Sequence, residues 1–165
     1  MMTNEFFLEI GTEEIPAGYI KPALNFMKEK MNLKIKHREG YRPFAPVVLR
    51  EYFDEYFISD TNDHPYMLQA PSCRPRTADE APAIVHVDNT SRVQTIEEKN
   101  GSVYKVMKAF HKITGTPILM NTSFNDNNEP IVFTKLDAFC CFSRTNADAL
   151  VINNNYILRA DIKDE

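Results

Sequence analysis

The sequence predicts a mixed α/β fold, α/β or α+β, and three observations carry that prediction. Short apolar runs bounded by turn residues alternate with segments whose apolar residues recur every three or four positions, so strands and helices interleave along the chain. Gly and Pro fall at the boundaries of these segments. The chain has 165 residues, 43% of them hydrophobic, which suffices for one domain with a sizeable core and is short for two.

Taken in order, residues 5–10 are apolar and aromatic and end at Gly11, which predicts a strand. Residues 18–36 read as helix, with Ile20, Leu24, Met27, Met31 and Ile35 at helical spacing. A further helix is expected over residues 47–57, bounded by Pro46 and by Ser59-Asp60. Pro65, Pro71, Pro75 and Pro82 make residues 59–82 a long extended loop. Residues 83–87 and 92–96 read as two strands joined by a turn at Asp88-Asn89. Residues 102–114 form the best-marked helix: Val103, Val106, Met107, Phe110 and Ile113 make an apolar stripe, Gly115 caps it and Pro117 prevents its resumption. Residues 118–120 are a buried strand running into the polar loop 121–129, and residues 131–133 are the next strand. Thr134-Lys135-Leu136-Asp137 resembles a capping box and opens a helix to about Thr145. Two last strands cover residues 150–152 and 156–158, and no internal repeat or low-complexity tract is visible.

Charged residues make up 25% of the chain and the net charge is −4, which excludes global disorder and a generic polyanion coat. The charge is unevenly placed. Residues 28–50 hold seven cations, Lys28, Lys30, Lys34, Lys36, Arg38, Arg42 and Arg50, against two anions, Glu29 and Glu39. Such a block is either a solvated face or an anion site. Arg42 lies in Tyr41-Arg42-Pro43-Phe44-Ala45-Pro46, where prolines and aromatics stiffen the backbone and suit bidentate recognition of an oxyanion. Cys73, Cys140 and Cys141 lack metal-ligand or disulfide-framework spacing. Cys140 and Cys141 read as core or boundary thiols. No apolar run approaches the roughly 20 residues that span a bilayer, and the start has no signal-peptide pattern. A cytoplasmic protein with no membrane partner is expected.

Two further constellations join the basic block. In His86-Val87-Asp88-Asn89-Thr90-Ser91-Arg92-Val93-Gln94-Thr95, His86 and Asp88 share one strand face, and Arg92 and Gln94 share one after the turn. The set could hold a phosphate or a small polar group, or could be a plain hairpin with a satisfied edge arginine. A His-x-Asp metal pair lacks a third ligand, so no metal site is expected. The loop Asn121-Thr122-Ser123-Phe124-Asn125-Asp126-Asn127-Asn128-Glu129-Pro130 follows a strand, where open α/β sheets place ligands. Its amides and hydroxyls could bind a carbonyl, an amine or a phosphate oxygen, or make an Asn-rich turn. No residue is singled out as catalytic.

From about Met27 to the end the chain resembles the C-terminal domain of the carbamoyltransferase family, the nodulation-type and antibiotic O-carbamoyltransferases. The matching stretches are residues 27–32, 34–49 (KIKHREGYRPFAPVVL), 82–95 (PAIVHVDNTSRVQT), 114–125 (TGTPILMNTSFN), 129–132 (EPIV) and 137–148 (DAFCCFSRTNAD). The resemblance implies a YrdC-like twisted sheet flanked by helices, with a basic cleft that binds carbamoyl phosphate. It implies release of phosphate and reaction of carbamate with ATP, with Mg2+, to give carbamoyl adenylate. Transfer to a hydroxyl acceptor would fall to a separate actin-like N-terminal domain as partner. Carried over, Lys36, Arg42 and Arg92 would bind the phosphate, and Asn121 and Ser123 the carbamoyl or phosphate end. Asn89 and Asn128 stand where the family usually has Gly, and Asn is the side chain that best tolerates a left-handed backbone.

Residues 1–26 depart from the family. They lack its Gly-, Ser- and Arg-rich phosphate-binding segment, and Phe7 to Ala17 resembles the start of the glycyl-tRNA synthetase β subunit. The expected organisation is an atypical strand–helix segment over 1–26 and the transferase domain over 27–165. Without the upstream segment the domain is expected to be incomplete on its own. Two alternatives stand beside the carbamoyl-phosphate reading: an inactive relic of a rearranged gene, and an RNA- or tRNA-binding module. The net negative charge disfavours nucleic acid.

Overall fold

The computed structural model describes residues 43–153 and 155–162. The strand expected over 5–10, the helix over 18–36, Lys36 and Arg42 lie outside the described residues. Those described divide into two compact units, residues 43–122 and residues 123–162.

The first unit is built on a three-stranded sheet. Its central strand β1 (Ala45–Leu49) has β4 (Gln94–Ile96) parallel on one side and β5 (Ile118–Asn121) antiparallel on the other. The sequence pattern predicts a helix starting at residue 47, and here the structure corrects it. All five β1 side chains are buried, and a wholly buried apolar run looks alike as helix or strand by periodicity. Val47 and Val48 are β-branched and favour the strand. Pro46 is tolerated at the centre of the sheet for a geometric reason. Phe44 N–H bonds to Ala83 O and Leu49 N–H to Pro117 O, so even-numbered amides face the β4 side. The register with β4 begins only at Val47, so the N–H that Pro46 lacks has no ladder partner to miss.

Residues 50–56 do turn helical, as a 3-10 turn (Arg50–Tyr52) followed by α1 (Phe53–Tyr56). The strands β2 (Phe57–Ile58) and β3 (Ser72–Cys73) then pair antiparallel around the loop 59–71. The long loop predicted over 59–82 therefore contains a strand and also a short helix, α2 (Pro75–Glu80). Pro75 opens that helix: at the first turn its missing N–H would be unpaired anyway, and its fixed φ is already helical. The buried Thr77 donates its hydroxyl to Tyr56 O. Arg76 pairs with Glu55 and, at 2.7 Å, with Glu80, while lying 4.6 Å over the Tyr56 ring. Tyr56 OH donates to Glu80 at 2.6 Å, and burial together with that carboxylate pushes the phenol pKa upward.

The strand expected over 83–87 is absent. Pro82–Ile84 forms a 3-10 turn, with Ile84 N–H bonded to Ala81 O and Val85 N–H to Pro82 O. This segment pairs with none of the described strands, and its amides are used instead within the 3-10 turn and the turn that follows it. The turn itself forms as expected: His86 N–H bonds to Thr90 O at 2.8 Å, and Asn89 takes a left-handed φ of 61°. Helix α3 (Ser102–Thr114) has the predicted bounds and ends at Gly115, whose φ of 77° places it in the left-handed cap. Its buried stripe is narrower than the pattern suggests: Val103 and Met107 are buried, while Ile113 is 83% exposed. The helix contacts β1 and β5. β5 is half-buried after Ile118, as befits an edge strand.

The second unit packs α4 (Lys135–Arg144) against the hairpin of β6 (Ala149–Ile152) and β7 (Asn155–Leu158). Ala138, Phe142, Ala147 and Leu150 form its core, flanked by Phe124, Val132, Ile152, Ile157 and Ile162. The capping box is present: Asp137 N–H donates to Thr134 Oγ1 at 3.1 Å and Thr134 N–H to Asp137 Oδ2 at 2.8 Å. Residues 131–133 are not a strand. Val132 N–H bonds to Phe124 O, but Ile131 and Phe133 are exposed and no ladder extends from that bond. Asn128, like Asn89, is left-handed, with φ 64°. None of the three cysteines is in a disulfide; Cys140 is exposed, and Cys73 and Cys141 are buried. Among the described residues no helix is long and apolar enough to cross a membrane.

Candidate functional site

One end of the three-stranded sheet gathers polar side chains. Gln94 lies opposite Val47, which lies opposite Leu119, and Ala45 lies opposite Asn121. Strand alternation puts Ala45, Val47, Gln94, Leu119 and Asn121 on one face. Ala45, on the strand between Gln94 and Asn121, is small, and the two amides meet across it: Asn121 Nδ2 donates to Gln94 Oε1 at 2.7 Å. Gln94 Nε2 in turn donates to the carbonyl of Pro65 at 3.1 Å.

That carbonyl is held in place along the edge of β4 that faces away from β1. His64 N–H donates to Thr95 Oγ1 at 2.8 Å, and Thr95 N–H donates back to His64 O at 3.1 Å. The His64 ring is buried and stacked on Phe53 with centroids 5.0 Å apart, and its Nε2–H donates to Thr61 O at 2.9 Å. A hydrogen-bonded chain thus runs from the 61–65 loop through Gln94 to Asn121.

Arg92 precedes β4 at the same end of the sheet. Its neighbours are anchored: Ser91 is buried, with its hydroxyl on Ile84 O at 2.8 Å and its N–H on Pro71 O at 3.0 Å, and Val93 is fully buried. Arg92 itself is exposed. Arg50, Arg76, Arg144 and Arg159 are each tied to carboxylates or backbone carbonyls. Among the described residues Arg92 and Arg74 have no such partner. Arg92 is therefore a cation on a fixed backbone with its guanidinium uncommitted. Arg50, part of the basic block, is committed: it donates to Glu97 at 2.9 Å and to Asn62 at 3.3 Å, with Asp63 at 3.6 Å. Lys99 and Arg50 hold the Glu97 carboxyl below the usual carboxylate range.

His86 and Asp88 meet through Thr90. The Thr90 hydroxyl donates to Asp88 Oδ1 at 2.7 Å, which uses its only proton, so at 3.1 Å His86 Nδ1 must donate to Thr90 Oγ1. The neutral ring keeps its lone pair on Nε2. The hydrogen bonds from Thr90 hold the Asp88 carboxyl low. Among the described residues no three His, Cys, Asp or Glu side chains are grouped to hold a metal ion.

Ser123 belongs to the second unit, in a loop that closes on itself. Its hydroxyl donates to Asn125 Oδ1 at 2.7 Å, Asn125 Nδ2 donates to Glu129 O at 2.8 Å, and Glu129 pairs with Arg144 at 2.7 Å. Of the five residues the resemblance picks out, Arg92 and Asn121 share the sheet end of the first unit, Ser123 lies in the second, and Lys36 and Arg42 lie outside the described residues. Gln94 is the addition. Its signal in the sequence was a polar side chain on the same strand face as Arg92, but its partner is 27 residues away.

The Carbamoyltransferase C-terminus family matches residues 19–159 of this chain. Nodulation protein NolNO of Sinorhizobium fredii is 41% identical over 148 residues, covering 88% of this chain and 22% of that protein. Nodulation protein NolO of Bradyrhizobium diazoefficiens is 44% identical over 135 residues, covering 80% of this chain and 24% of the relative. Nodulation protein U of Rhizobium tropici is 40% identical over 117 residues, covering 70% and 20%. This chain spans about a quarter or less of the length of these relatives.

Proposed function

Because the chain belongs to the carbamoyltransferase C-terminal family, we propose that it is the part of an O-carbamoyltransferase that binds and activates carbamoyl phosphate. The observation that carries this reading is the uncommitted Arg92 at the same sheet end as the Gln94–Asn121 pair. Carbamoyl phosphate offers a dianion at one end and an amide at the other. This end of the sheet pairs a guanidinium that has no partner among the described residues with the Asn121 amide, whose Nδ2 is bonded to Gln94 and whose Oδ1 has no such partner. Each charge-assisted hydrogen bond to such an oxyanion contributes about 1.5–3 kcal/mol.

In this reading Arg92, with Lys36 and Arg42, holds the phosphate, Asn121 holds the carbamoyl end, and Ser123 is the further position that the resemblance carries over for the carbamoyl or phosphate end. Water adds to the carbonyl carbon, the bond to the bridging oxygen breaks, and phosphate leaves with the electron pair. Fixed cations stabilise that developing charge. The resulting carbamate attacks the α-phosphorus of ATP, displacing pyrophosphate and forming carbamoyl adenylate. ATP is a co-substrate here. The described residues group no metal ligands, and no step is assigned to a metal held by them. Transfer to a hydroxyl acceptor belongs to an actin-like domain such as the resemblance implies.

The test is the thermal melting of the purified chain with carbamoyl phosphate, inorganic phosphate, Mg–ATP and bulk tRNA. A ligand at about 100 times its Kd adds roughly 2.7 kcal/mol of stability. A shift with carbamoyl phosphate beyond that with phosphate is expected. A cooperative melt that responds to neither phosphate ligand, or only to tRNA, refutes the proposal.

A further inference from the structure

The hydrogen-bond chain at the end of the sheet has a direction, and that direction assigns a task to Gln94. The Pro65 carbonyl can only accept, so the Gln94 amide must turn its Nε2 toward it. Gln94 Oε1 then faces Asn121 and can only accept, so Asn121 must turn its Nδ2 toward Gln94. Asn121 is left offering its Oδ1, which has no partner among the described residues, together with its second N–H. Nothing in the amide's own shape selects this orientation, since the two ends of an Asn side chain are nearly isosteric. The selection comes from Pro65, whose carbonyl is itself fixed by the reciprocal His64–Thr95 bonds.

We infer that Gln94 is a positioning residue that sets the Asn121 amide so that its oxygen reads an N–H group on the ligand. This rests on the carbamoyl-phosphate reading above and deepens it. An outward Oδ1 accepts from the NH2 of a carbamoyl group and finds no donor on the methyl of an acetyl group. The pair therefore discriminates carbamoyl phosphate from acetyl phosphate, which share shape and the phosphate end. One hydrogen bond gained against an acceptor left unpaired corresponds to about tenfold in affinity. Ala45 contributes by being small, since a longer side chain at that register position would fill the space through which the two amides meet.

The experiment titrates the full chain calorimetrically with carbamoyl phosphate, acetyl phosphate and inorganic phosphate, and repeats the titrations with Gln94→Met and Gln94→Glu. Met keeps the length of Gln and removes both hydrogen bonds. Glu still accepts from Asn121 but brings a negative charge near the phosphate. The wild-type chain is expected to prefer carbamoyl over acetyl phosphate by about tenfold. Gln94→Met should bring that ratio to within about twofold of unity while still binding phosphate, and Gln94→Glu should weaken all three ligands and keep the ratio. The Asn121 side-chain NH2 resonances, read without ligand, should shift in Gln94→Met, because one proton loses its acceptor. Unmoved resonances, or a ratio unchanged in Gln94→Met, overturn the inference. A wild type that binds both acyl phosphates equally overturns it alone, whereas a wild type that binds no phosphate ligand overturns the reading on which it rests.

Discussion

Removing Arg92 and removing Arg76 should have opposite consequences. Arg92 is exposed and makes no hydrogen bond or ion pair with any described residue, so Arg92→Ala is expected to change folding stability by no more than about 0.5 kcal/mol. The same substitution deletes one or more charge-assisted hydrogen bonds to bound phosphate, at about 1.5–3 kcal/mol each, and should weaken carbamoyl phosphate and inorganic phosphate about 10- to 150-fold. Arg76 is the converse. It joins Glu55, Glu80 and the Tyr56 ring. Exposed ion pairs contribute about 0.2–1 kcal/mol each and a cation–π contact about 0.5–1 kcal/mol. Arg76→Ala should therefore lower stability by about 1–2 kcal/mol and leave ligand affinity alone. Urea unfolding with an unchanged slope gives the first quantity, and calorimetric titration gives the second. Unaltered phosphate affinity in Arg92→Ala refutes the placement of the anion at this end of the sheet. A loss of stability above 1 kcal/mol in that variant would show that its guanidinium is structural.

Three further outcomes follow from local features. Asn128 is exposed with a left-handed φ of 64°, so in urea unfolding Asn128→Gly should be neutral or slightly stabilising, and Asn128→Val destabilising by about 1–2 kcal/mol. Burial, and secondarily the Asp88 charge, push the Cys73 thiol up to about 11. Any stability from keeping it neutral is present below the unfolded value of about 8.5 and is lost as pH rises through the folded one. At pH 8 a maleimide should modify the exposed Cys140 quickly and the buried Cys73 and Cys141 only on denaturation, as counted by mass spectrometry. Lys99 and Arg50 hold the Glu97 carboxyl low, so its contribution is complete above the ordinary carboxylate pKa of about 4.3 and disappears as pH falls through the depressed value. Glu97→Gln should flatten the acid limb of the stability profile, and an unchanged limb would place the acid sensitivity elsewhere.

What the sequence determined by itself lies within a few residues of its cause. The helix at Ser102–Thr114 is set by its own apolar spacing, by Gly115 at φ 77° and by Pro117 beyond it. The box at Thr134 and Asp137 spans three residues, and the left-handed turns at Asn89 and Asn128 follow from what an Asn backbone tolerates. Family membership, and with it the candidates Arg92, Asn121 and Ser123, was also legible, because it rests on ordered short motifs. The tertiary structure decided whatever depends on a distant partner. Residues 45–49 became a strand because β4 and β5 flank them, whereas residues 83–87 pair with no described strand and fold into a 3-10 turn and a tight turn. Orientation at the site is the clearest case. The carbonyl of Pro65 is brought to Gln94 from 29 residues away, and Asn121 from 27. An amide has no preferred end until such partners arrive, so its chemistry toward a ligand is a property of the sheet and not of the residue.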